Sequence, residues 1–270
     1  MVSLLKEIMR PLYYFLKNKN LREFYRLLDK YGSYERFISV NNLRFLNYKI
    51  DVPDLPSFIW QFKEIFVDEI YKFDASNSRI TPLIYDCGAN IGMSVLYFKT
   101  MFPNAKIIAF EADPKICKYL RENLKKNGIN NVDVIEGAVW INNDEVEFNS
   151  EGADGGSIYG KGNIKKVKSV RLKELLEKEK EIDLLKIDIE GAEYEVLMDY
   201  RDSLRDVRNI FVEYHSWNNK EQKLGEILKV LEENIFRYYL KTVNDRKWPF
   251  INKEEDQSMD LQINIWGYRV

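Results

Sequence analysis

The stretch "PLIYDCGANIGMSVLYF", residues 82–98, decides the fold. Apolar residues run straight into Asp86, then only small or polar side chains appear as far as Asn90, then Gly92 opens a helical spacing. A buried strand, a glycine-bearing turn and a helix make the first unit of an open α/β sheet. Gly88 and Gly92 allow a tight turn and let a ligand lie against the backbone, where a Cβ would stand in the way.

Working outward, the same rhythm repeats. The spacing predicts strands at 83–86, 105–111, 132–136, 183–190 and 209–215, separated by helices at 91–102, 114–127, 171–180, 192–203 and 220–234. Continuous apolar runs such as "IIAF" and "IFV" fit strands covered on both faces, and strand–helix alternation gives a parallel sheet with right-handed crossovers. Gly128 is the expected left-handed residue after the second helix. Residues 137–170 read as turns and short strands, and "YYLKTV" with "LQINIWGYRV" as an antiparallel pair joined by 244–260.

Before this rhythm begins, residues 3–30 read as two short amphipathic helices and 56–73 as another. The expected division is therefore 1–78, an N-terminal helical extension, and 79–270, the main domain. Residues 1–50 carry ten Lys/Arg against four Asp/Glu, net +6, in a chain of net charge −2, leaving −8 for the rest. Basic residues on aromatic-rich helices suit contact with a membrane surface, and equally suit a cap packed on the main domain. The acidic body offers no basic groove, so no nucleic-acid partner is expected. Two cysteines, Cys87 and Cys117, no signal-peptide pattern and only strand-length apolar runs read as a soluble cytoplasmic protein with free thiols.

Ligands of open α/β sheets sit at the carboxyl ends of the strands. A dinucleotide site would show G-x-G-x-x-G; here Asp86-x-Gly88-x-x-x-Gly92 puts Asn90 where the middle glycine falls. An Asp at the rim repels a pyrophosphate but suits a cation, and S-adenosylmethionine carries both an ammonium and a sulfonium. Glu111, nineteen residues after Gly92, ends the second strand in "FEADP", where an acid accepts from ribose hydroxyls. Glu136, Gly137 and Ala138, at the third strand end, are expected to line an adenine pocket. Asp86, Gly88, Ala89, Asn90, Gly92 and Ser94 form the first cofactor segment; Glu111, Ala112 and Asp188 complete the expected contacts.

"IYDCGANIG", "FEADP", "EGAVW", "LLKIDIEGAEYEVL" and "IFVEYH", in this order and spacing, strongly resemble the FkbM family of S-adenosylmethionine-dependent methyltransferases over residues 56–240. The resemblance implies a class I methyltransferase, Rossmann-like fold: a seven-stranded, mostly parallel sheet whose last strand is antiparallel. It also implies O-methylation of a hydroxyl, often on a sugar or polyketide, and hence a small-molecule or glycan acceptor and a place in carbohydrate biosynthesis. A nucleotide-dependent oxidoreductase and a cofactor-binding scaffold without catalysis are the alternative functions.

Strand alternation places Lys186, Asp188 and Glu190 on one face of the fourth strand, and Glu213 with His215 on one face of the fifth. His215, the only histidine, is the expected base, oriented by a carboxylate; Asp188 and Glu213 are the alternatives. The pattern does not call for a divalent metal, though Asp188 with Glu213 has the donor chemistry for one. "EGADGGS" (151–157) is read as a mobile loop or a hairpin turn. Trp248 and Phe250 are read as a stacking platform for a sugar ring or as loop anchors.

Overall fold

The computed structural model describes residues 15–75, 81–150, 156, 164–243, 246–252 and 259–269. The first part of the 3–30 helical reading, most of 151–157 and parts of the 244–260 connection lie outside the described residues.

Seven strands form the central sheet: β3 (Leu83–Cys87), β4 (Lys106–Glu111), β5 (Val132–Glu136), β9 (Ile182–Ile187), β10 (Val207–Trp217), β11 (Arg237–Thr242) and β12 (Met259–Tyr268). Their spatial order is β11-β12-β10-β9-β3-β4-β5, with every central pairing parallel. Only β12, the last in the chain, runs antiparallel, between β10 and β11. This is the class I methyltransferase arrangement. A three-stranded sheet of β6 (Ala138–Trp140), β7 (Glu145–Asn149) and β8 (Ile164–Arg171) accounts for the turns and short strands of 137–170.

Local chemistry sets the helices. In α4 (Pro114–Lys126), Asp113 caps the start by accepting from the Lys115 amide at 2.8 Å, and Pro114 sits where no amide partner is needed. Gly128, with φ of 67°, ends it as expected. Helices α3 (Met93–Met101), α6 (Glu193–Tyr200) and α7 (Leu224–Glu233) follow β3, β9 and β10. The expected helix at 171–180 shrinks to α5 (Lys173–Leu176).

Alternate strand residues feed two cores. Ile84, Ile107, Leu184 and Phe211 face one, while Tyr85, Ile108, Leu185 and Val212 face the other. The N-terminal segment closes the first. It holds α1 (Lys19–Tyr31), a hairpin of β1 (Val40–Phe45) and β2 (Tyr48–Val52), and α2 (Leu55–Phe62), which continues as a π turn over Lys63–Val67. The hairpin adds two strands, between the expected helices, to the segment read as a helical extension. Asn123 and Asn127, one turn apart on α4, clamp β2: each exchanges two hydrogen bonds, of 2.7–3.0 Å, with the backbone of Asp51 or Lys49. Phe45, Phe58, Phe62 and Phe66 pack ring to ring beneath it, with centroids 5.3–5.7 Å apart between Phe45 and the other three. No helix among the described residues is long and apolar enough to cross a membrane.

Candidate active site

Two cavities open at the carboxyl edge of the sheet and share walls at Gln61, Gly88, Asn90, Asp188 and Glu190. The first lies over the ends of β3 and β4. Its walls are mostly apolar, including Phe110, Ala138, Val139, Phe148 and Ile189, with Glu111 among them. Both Glu111 oxygens accept backbone amides, from Asn90 at 2.9 Å and Asp113 at 2.8 Å. Burial nevertheless pushes this carboxyl up to about 7. The second cavity, about 420 Å³, runs between α2 and the ends of β3, β9 and β10. That volume falls within the ~300–1,000 Å³ of small-ligand sites.

Of the sequence-predicted cofactor residues, Gly88, Asn90, Glu111 and Ala112 border the first cavity, as do Gly137, Ala138 and Asp188. Ala89 and Ser94 border the second. Asp86 does not stand at a rim. It is fully buried beneath both cavities, 3.2 Å from Lys186 Nζ, and accepts the Ser94 hydroxyl at 2.5 Å. Lys186, the most deeply buried ammonium among the described residues, is held above its usual pKa: burial opposes the charge, but Asp86 and Asp188 outweigh it. Glu136 is exposed and borders neither cavity. The glycines also answer to the protein itself. A Cβ on Gly88 would lie 1.8 Å from the carbonyl oxygen of Asp188, and one on Gly92 2.8 Å from Leu120; both residues have positive φ.

The expected face of the fourth strand ends early. β9 stops at Ile187, and Glu190 and Gly191, with φ of 59° and 104°, reverse the chain there. Glu190 therefore reaches the cluster from a turn. Longer β10 carries Glu213 and His215 on one face, paired across the sheet with Asn264 and Gln262 of β12. These elements gather a polar cluster of Asp188, Glu190, Glu213 and His215 on the face covered by α2.

His215 is 3% exposed. Its Nδ1 lies 3.0 Å from Oε1 of Glu193, and its Nε2 3.5 Å from Glu190 and 3.7 Å from Glu213. Burial disfavours the imidazolium, but the three carboxylates outweigh it and raise the ring well above its ordinary value. A ring that keeps its proton cannot take one, and His215 borders neither cavity. These observations speak against the expected role of His215 as the base. Burial and the charge of Asp188 push Glu213 up to about 8, and its carboxylate also accepts from Gln262.

Sequence reading missed Glu193 and the wall supplied by α2. Glu193 is wholly buried at the start of α6 and accepts the amides of Ile189 and Gly191 as well as pairing with His215. Ser57, Gln61 and Glu64 recur at i, i+4 and i+7, a polar stripe on an otherwise apolar helix, and all three border the second cavity. That periodicity was the available signal. The Glu64 carboxylate makes no hydrogen bond among the described residues; burial, and then Asp188, push it up to about 7. Trp248 and Phe250 are 70% and 96% exposed and border neither cavity.

Residues 86–238, from the buried Asp86 to β11, match the family model of the methyltransferase FkbM domain. The chain belongs to the FkbM methyltransferase family. Among relatives, the methyltransferase sdnD of Sordaria araneosa is 34% identical over 191 residues, 56% of this chain and 73% of sdnD. The 2-O-methyltransferase NoeI of Sinorhizobium fredii is 27% identical over 49% of this chain and 63% of its own. Among solved structures, M. jannaschii TYW2 in complex with AdoMet aligns over 88% of this chain and 89% of its own, with 14% identity and a TM-score of 0.45. The family match covers both cavities' strand ends but not α2, so Gln61 and Glu64 are contributions of this chain outside the matched domain.

Proposed function

We propose that this FkbM-family enzyme transfers a methyl group from S-adenosylmethionine to a hydroxyl of a sugar or glycan precursor. The observation that carries this reading is the shared wall of the two cavities, which lets a donor in one meet an acceptor in the other. The first cavity fits an adenosyl group: apolar walls for the base, and Glu111, already fixed by two amides, with lone pairs left for ribose hydroxyls. Asp188 and Glu190, on the shared wall, offer negative charge to the donor's cationic end.

Bound there, the donor supplies a sulfonium-activated methyl whose leaving group needs no further help. The protein's share is alignment, on the order of 7–11 kcal/mol when two reactants are well placed, and removal of the hydroxyl proton. Glu64 takes that proton. It faces the second cavity with an unengaged carboxylate, and its near-neutral pKa lets it be ionised and still basic. Asp188 and Glu213 frame the transfer point, with His215 packed behind them and held by Glu193. The O-methyl outcome is supported by NoeI, a 2-O-methyltransferase. The cavity wall is rich in carboxylates and amides, with Trp60 at its edge, and suits a neutral polyol.

The test is incubation with methyl-labelled S-adenosylmethionine and a panel of neutral oligosaccharides, with the product read by NMR. A methyl ether on a sugar ring agrees with this reading. Label delivered only to nitrogen- or carbon-centred acceptors overturns it.

A further inference from the structure

We propose that Asp188, Glu213 and His215 form a binding site for a divalent cation of the manganese and magnesium class. One donor atom from each of the three lies within 4.8 Å of the others. Two carboxylates and an imidazole are a donor set for such ions, and cavity walls beside them leave room for water or a substrate hydroxyl to complete the coordination.

Two further observations point the same way. His215 is oriented as metal-bound imidazoles are: its Nδ1 is held by a buried carboxylate, Glu193, and its Nε2 faces Glu190 and Glu213, with the Gln262 amide 3.3 Å away as the group a cation would displace. Asn264 stands directly across from Glu213 in the β10–β12 register, so both side chains leave the same face of the sheet. It is 7% exposed, and its Oδ1 has no hydrogen-bond partner among the described residues. A buried oxygen without a donor, on the residue paired with Glu213, is one that a cation at Glu213 would satisfy. Lys186 engages one oxygen of Asp188, Oδ2, and its own charge is met by Asp86. Binding displaces the proton from Nε2 to solvent, since a metal takes the neutral ring.

Rested on the proposed methyl transfer, the cation abuts the acceptor cavity, where it would bind the accepting hydroxyl and make it more acidic. The site itself is tested without donor or acceptor. The full chain, stripped with a chelator, is titrated with manganese(II) chloride, and free manganese is followed by electron paramagnetic resonance. One equivalent is expected to bind. Glu213→Gln and His215→Ala should each weaken it at least about tenfold, and Glu193→Gln about tenfold through the ring's orientation. Gln262→Glu, which adds a carboxylate beside Glu213 and His215, should tighten it, so a loss of binding by misfolding is not the only readout. Circular dichroism checks that each variant is folded. No stoichiometric binding to the wild-type chain, or equal binding by folded Glu213→Gln, His215→Ala and wild type, overturns the site. Either result leaves the methyl-transfer reading standing.

Discussion

Nδ1 of His215 lies 3.0 Å from Oε1 of Glu193, and both side chains are sealed from solvent. Glu193 also accepts two amides of the turn that reverses the chain after β9, so one carboxylate ties β10, α6 and that turn together. Breaking a buried pair from one side costs about 3–5 kcal/mol, because the remaining charge is left without a partner. Glu193→Ala should therefore lower stability by about 3 kcal/mol in urea denaturation. A loss below about 1 kcal/mol would mean that the pair is not held in solution.

The deep pair of Lys186 and Asp86 makes a different prediction. Lys186→Met strands a buried carboxylate and should cost about 3–5 kcal/mol. Adding Asp86→Asn should recover part of that loss, since the stranded charge is then removed. Additive losses in the double variant would show that the two side chains do not compensate each other.

Stability should fall as the solution becomes alkaline. Burial raises Glu111 to about 7 and Glu213 to about 8, above the ordinary 4.5, and the carboxylates around His215 raise it above 6.5. A raised folded pKa favours the protonated form in the fold. The stability it contributes is whole below the unfolded value, about 4.5 for the glutamates and 6.5 for the histidine, and is lost as pH rises through the folded value. The Tm at pH 9 should lie on the order of 5 °C below that at pH 6. A Tm that is flat or rises over this window contradicts the crowding of acids at the site.

Glu64 carries the catalytic prediction. Glu64→Gln should lower kcat by about 10²–10⁴-fold with the acceptor that the labelling panel yields. The acid limb of the pH profile, expected near the pKa of about 7, should disappear in that variant. Affinity for S-adenosylhomocysteine should not change. Glu64→Asp should restore part of the rate, which a purely structural glutamate would not require. An unchanged limb in Glu64→Gln moves the base elsewhere.

The sheet was legible because its strands are buried on both faces: "LIYD", "IIAF" and "IFV" cannot be half-exposed, and glycines and caps punctuate the helices between them. The β1–β2 hairpin was not: "YKIDV" alternates, but the irregularity between Val40 and Leu43 breaks the pattern in β1, and the residues that hold the pair, Asn123 and Asn127, are distant in sequence. Residue types at the strand ends announced a polar site, but not which charges neutralise one another. Asp86 looked like a rim residue until the register set Lys186 beside it. Nor did spacing show that Glu193, twenty-two residues before His215, lies against its ring. Alternation along β9 also misled beyond Ile187, where a left-handed Glu190 replaces extended backbone.

Everything proposed for this site depends on the cavity over β3 and β4 receiving an adenosyl compound with a cationic or sulfur-bearing tail. Calorimetric titration of the full chain with S-adenosylhomocysteine and, separately, with NAD tests it most directly. One site of micromolar affinity is expected for the first, weakened at least about tenfold by Glu111→Ala through the lost ribose hydrogen bonds, with no heat from NAD. Binding of NAD, or no binding of S-adenosylhomocysteine by the folded wild-type chain, would contradict it.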